Sequence, residues 1–87
     1  MTNQQRIQIL LEAKETLRHQ QKGICHAISL RTQIDPYDVL KLFPELVQFK
    51  PSDKLTFYTD WFPHDNEGLA RRQEIINQTI KIIQDGR

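Results

Sequence analysis

Apolar residues recur at helical spacing in two long stretches of this chain, and between them prolines, a glycine and a cluster of aromatics break the rhythm. The first stretch carries Ile7, Leu10, Leu11 and Leu17, and Thr2 with Gln5 three residues later fits a capping box ahead of it. The pattern predicts a helix over Asn3–Gln21, ended by Gly23. At about 100° per residue, Lys14 falls in the middle of the Leu/Ile stripe and Arg18 close beside it. Either both stems lie along apolar surface with their heads in water or on a carboxylate, or the pair marks an anion or partner site.

After Gly23, the residues Ile24, Ala27, Ile28 and Arg31 share one helical face, which predicts a short second helix folding back on the first. Asp35-Pro36 is a strong helix start, since Asp caps free amides and Pro at the first position gives up an N–H that had no partner. A short helix from Pro36 to Phe43 follows. Pro44 and Pro51 then stop or restart the chain, so Gln48–Pro63 reads as an irregular connection wrapping the helices. Phe49, Phe57, Tyr58, Trp61 and Phe62 place five aromatics within fourteen positions there. They form either a lid over a small core or a stacking surface for a base or a partner's aromatic side chain.

Asp65 and Asn66 both suit the cap of a last helix carrying Leu69, Ile75, Ile76, Ile80, Ile82 and Ile83, with Gly86 as its stop. Its apolar arc covers roughly 160°, wider than one helix contact needs, which points to an oligomeric interface. Arg72 falls inside that arc and Arg71 at its edge. A charge so placed is costly without an anionic partner, for which Asp38, Glu45, Asp60 and Asp65 compete with a bound phosphate-like ligand. The expected fold is all-α: one domain over residues 1–87, a compact small bundle of two longer and two short helices with an aromatic-rich connection.

Composition narrows the function classes. Twelve Lys plus Arg against eleven Asp plus Glu give a net charge of +1, without a like-charge block to capture DNA or RNA. The one cysteine, Cys25, permits no intrachain disulfide, and the polar Met1–Ile7 segment lacks the apolar run of a secretory signal. The longest uncharged stretch, Gly23–Leu30, falls well short of the about 20 residues needed to span a bilayer, so a cytoplasmic protein is expected. Cys25 and His26 are adjacent, with no further ligand at workable spacing for a metal and no base poised for a nucleophile. No Gly-rich phosphate loop, HExxH or paired-Cys motif is present, which predicts neither catalytic residues nor a cofactor.

Three stretches in combination carry a resemblance: Gly23-Ile24-Cys25-His26-Ala27-Ile28, Leu42-Phe43-Pro44-Glu45-Leu46, and Trp61-Phe62-Pro63 followed by Glu67-Gly68, Arg71-Arg72 and Ile75-Ile76-Asn77. Together they resemble a group of small proteins of tailed bacteriophages and prophages that have no assigned activity. The likeness covers about two-thirds of the chain and implies a phage origin, but no chemistry. By analogy with other small phage proteins, counter-defence in the cytoplasm of an infected bacterium becomes the expected setting. The leading expectation is a non-enzymatic homo-oligomer that sequesters a nucleotide second messenger of bacterial immunity. Its candidate ligand-binding residues are Arg72, Arg71, Lys14, Arg18 and His26, with Trp61 or Tyr58 stacking the base. The alternative is an inhibitor of a host or defence protein that presents the aromatic connection and the wide face of the last helix.

Overall fold

The structure is a computed structural model that describes residues 1–19, 23–50, 62–63 and 65–86. It is all-α, with α1 over Asn3–His19, α2 over Ile24–Thr32, α3 over Pro36–Leu42, a 3₁₀ helix η1 over Pro44–Phe49, and α4 over Asn66–Gly86. Among the described residues there is no strand, and no helix is long and apolar enough to cross a membrane.

The caps follow from the sequence. Thr2 N–H donates to Gln5 Oε1 at 2.9 Å and Gln5 N–H to Thr2 Oγ1 at 3.1 Å, so two amides at the start of α1 are satisfied reciprocally. Asp35 accepts from the Tyr37 amide at 2.9 Å, with Pro36 opening α3. Asp65, rather than Asn66, caps α4, and its Oδ1 accepts from the Gly68 amide at 2.7 Å. One expectation changes: Gln48 and Phe49 do not begin an irregular connection but end η1, because Pro44 fits the first turn of a new helix as well as it stops the old one. The remainder of that connection, residues 51–61, lies outside the described residues, as do residues 20–22 at the expected end of the first helix.

Helix α1 is central, packing against both α2 and α4, while α2 packs on α3, and η1 bridges α3 and α4. The core between them holds Leu10, Ala13 and Leu17 of α1, Cys25, Ala27 and Ile28 of α2, Val39, Phe43 and Leu46, and Ile75, Ile76 and Ile83 of α4. The buried line of α1 is thus Leu10–Ala13–Leu17, while Leu11 is 46% exposed. The apolar axis is turned by about 60° from the one the large side chains alone imply, because small Ala13 is fully buried while Leu11 is not. On α4 the wide arc is used within the chain, α1 covering one part and η1 another.

At the start of α4, a Cβ on Gly68 would stand 1.8 Å from the carbonyl oxygen of Pro63, so the backbone of residue 63 crosses the helix where only glycine leaves room. Gly68→Ala therefore separates two opposing effects. Helix propensity alone would stabilise the protein by about 1 kcal/mol. The clash with backbone atoms is expected to outweigh it, for a net loss of at least about 1 kcal/mol. Urea denaturation reads the sign directly, and a gain in stability would contradict the close approach.

Candidate functional site

Arg72 is where the sequence places it, inside the apolar arc of α4, and is only 2% exposed. Its described partners differ from the expected carboxylates. Nη1 donates to the carbonyl of Pro63 at 3.1 Å and Nη2 to the carbonyl of Phe62. Three of the four carboxylates considered are engaged elsewhere: Asp38 with Lys41, Glu45 with Arg6, and Asp65 with its capped amide. Asp60 lies outside the described residues. The guanidinium's several fixed donors suit this task, since they can reach two successive carbonyls that lie outside a helix. Arg72 is thus committed to holding the chain at residues 62 and 63 over Gly68.

Of the other candidates, Arg71 lies beside the segment that Arg72 holds. Arg71 is exposed, reaches Glu67 at 3.5 Å and stands over the Phe62 ring at 5.8 Å. Arg18 is 61% exposed and pairs with Glu15 on its own helix at 3.4 Å. His26 is half-buried on α2 between Cys25 and Ala27 and lines none of the described cavities. Trp61 and Tyr58 lie outside the described residues. Lys14 is half-buried at the edge of the α1 stripe rather than in its middle, and its Nζ donates across to Asn77 Oδ1 of α4 at 2.8 Å.

That bond leads to a groove of about 510 Å³ between η1 and α4. Gln48 and Phe49 line it from η1, and Glu74, Asn77, Gln78, Lys81 and Ile82 line it from α4. The α4 residues 74, 77, 78 and 81 follow the spacing i, i+3, i+4, i+7 and form one continuous face. Within it Gln78 Nε2 donates to Glu74 Oε1 at 3.0 Å. The groove thus offers an aromatic and an aliphatic surface, three amides, one carboxylate and one ammonium group, with Lys14 holding Asn77 from outside. A second cavity, lined by Glu12, Glu15, Thr16, His19 and Arg31, is occupied by its own ion pairs: Arg31 to Glu12 at 3.2 Å and His19 to Glu15 at 3.0 Å.

The cation that sequence reasoning missed is Arg6. It donates to the Leu42 carbonyl at 3.2 Å and to Asn3 at 3.1 Å, pairs with Glu45, and lies over the Phe43 ring at 5.3 Å. The signal was present, because Arg6 lies four residues before Leu10 and seven before Ala13, on the buried line of α1. Counting exposed Leu11 in the stripe shifts its centre toward Lys14 and Arg18.

Among the described residues no group of three His, Cys, Asp or Glu side chains could hold a metal. No family model, no curated protein and no solved structure matches the chain. Cys25 is 3% exposed, and burial pushes its thiol up from 9.0 to about 12, against a smaller lowering effect of Lys50. A thiol so held is a packing group, with almost no thiolate at neutral pH.

The shift has a sign in stability. The folded state keeps the Cys25 proton above pH 9, where the unfolded chain releases it, so stability falls as pH rises from 9 to about 12. Cys25→Ala should therefore show a shallower alkaline loss than the parent in denaturant titrations, by up to about 1.4 kcal/mol per pH unit. Identical slopes would contradict the burial of the thiol.

Proposed function

We propose that this chain is a non-enzymatic binding protein that captures a nucleotide-like anion in the groove between η1 and α4. The observation that carries this reading is the groove's mixture of groups in a volume of about 510 Å³, within the range of small-molecule sites. Phe49 supplies a face for a base, the amides of Gln48, Asn77 and Gln78 supply donors and acceptors, and Lys81 supplies a charge for a phosphate. Lys14 contributes by orienting Asn77. Arg72 serves the fold and leaves ligand capture to the outer face of α4.

In the phage setting that the sequence resemblance implies, capture without turnover would remove a second messenger of bacterial immunity from the infected cell's cytoplasm, and assembly into a homo-oligomer would multiply the sites. The competing reading, an inhibitor docking on a host protein, draws less support. The face of α4 it would present is turned inward: Ile75 is 8% exposed, Ile76 is fully buried and Ile83 is 4% exposed.

Native mass spectrometry of the protein mixed with mononucleotides and cyclic dinucleotides tests the reading, since subunit number and bound mass appear in one spectrum. At least one nucleotide should be retained stoichiometrically. Lys81→Glu should weaken it by about tenfold or more, whereas Arg18→Glu, outside the groove, should leave it unchanged. Retention of none of these nucleotides, or equal loss in both variants, would contradict the proposal.

A further inference from the structure

The groove is polar in a directional way, and its two ends differ in charge. Glu74 and Lys81 are seven residues apart on one face of α4, which separates them by about 10 Å along the helix axis. That spacing is close to the distance from the base-pairing edge of a purine to its 5′-phosphate. Phe49 and Gln48 line the groove from η1, across from this face. Resting on the groove reading above, we infer that the site selects guanine nucleotides, with the guanine edge on Glu74, the ring on Phe49 and the phosphate on Lys81.

Charge fixes the direction. A phosphate beside the Glu74 carboxylate meets like charge, so it lies toward Lys81 and the base lies toward Glu74. The base is then chosen by hydrogen-bond pattern. A carboxylate only accepts, so it needs an edge that presents adjacent donors. Guanine offers a ring N–H and a neighbouring amino group, one for each carboxylate oxygen. Adenine and cytosine set a ring-nitrogen lone pair beside their amino group, and uracil flanks its one N–H with two carbonyls, so each puts an acceptor against the carboxylate. Gln78, whose Nε2 lies 3.0 Å from Glu74 Oε1, holds that carboxylate in place while leaving Oε2 and the second lone pair of Oε1 available. Its own amide oxygen is a further acceptor for the amino group.

Calorimetric titration of the full chain with guanosine, inosine and adenosine 5′-monophosphates tests the inference. Guanosine monophosphate should bind about tenfold or more tightly than adenosine monophosphate, as expected when a bidentate pair is replaced by a mismatched edge. Inosine monophosphate, which lacks the amino group, should fall between them. Glu74→Gln should bring guanosine and adenosine monophosphates to within about threefold of each other by weakening the former, and Lys81→Ala should weaken all three. Equal binding of the three by the unaltered protein, or a guanine preference that survives Glu74→Gln, would overturn the base assignment and leave the groove reading standing. Binding of none of the three would overturn the inference. Retention of other nucleotides in the native spectra would then preserve the groove reading, and their absence would remove that as well.

Discussion

The guanidinium of Arg72, buried and donating to the carbonyls of Phe62 and Pro63, is the constraint on which the arrangement of α4 depends. Those carbonyls belong to a segment without helical hydrogen bonding of its own, and a buried guanidinium without hydrogen-bond partners is costly. A side chain from the second turn of α4 supplies what the segment lacks. The approach is close enough that residue 68 must be glycine, and the Asp65 side chain completes the junction by capping the helix at the Gly68 amide. The stretch Phe62-Pro63, Glu67-Gly68 and Arg71-Arg72 is therefore a structural unit: a crossing backbone, the space it needs and the cation that holds it.

Arg6 performs the corresponding task for α3 and η1. Its bonds to the Leu42 carbonyl and to Glu45, with the Phe43 ring beneath it, fasten the Leu42-Phe43-Pro44-Glu45-Leu46 stretch to α1. Pro44 restarts the chain there as η1, and Leu46 is fully buried. With α3 and η1 so anchored, Phe49 and Gln48 arrive beside the outer face of α4 and complete the groove. Both inward arginines thus act on backbone carbonyls and shape the fold, and the chemistry available to a ligand is left to exposed amides and a lysine.

Much of the fold was legible from residue spacing. Thr2/Gln5, Asp35-Pro36 and Asp65 each mark a helix start by a local mechanism, and all three hold in the structure. The all-α class followed from apolar periodicity. What spacing did not give was the rotation of α1, because Ala13 contributes little hydrophobic weight although it is fully buried, whereas Leu11 contributes much and is 46% exposed. The cations singled out on α1 changed accordingly, from the expected Lys14 and Arg18 to Arg6. On α4 the placement of Arg72 was right, and the described residues add two partners that spacing did not give, the carbonyls of Phe62 and Pro63, while Asp60 lies outside them. A backbone carbonyl has no signature in sequence, while carboxylates do. The groove escaped notice for a related reason: it is built from polar residues of α4 that look like an ordinary solvated face until η1 is placed beside them.

Equilibrium urea unfolding of Arg72→Met beside Arg71→Met tests most directly whether the inward arginine belongs to the fold. Loss of the Arg72 side chain removes two charge-assisted hydrogen bonds from a buried guanidinium, for an expected cost of about 2–4 kcal/mol. Loss of exposed Arg71, with its ion pair to Glu67, should cost less than about 1 kcal/mol. Comparable small losses in the two variants would contradict the account, because they would leave the Arg72 guanidinium unneeded by the fold and available to a ligand.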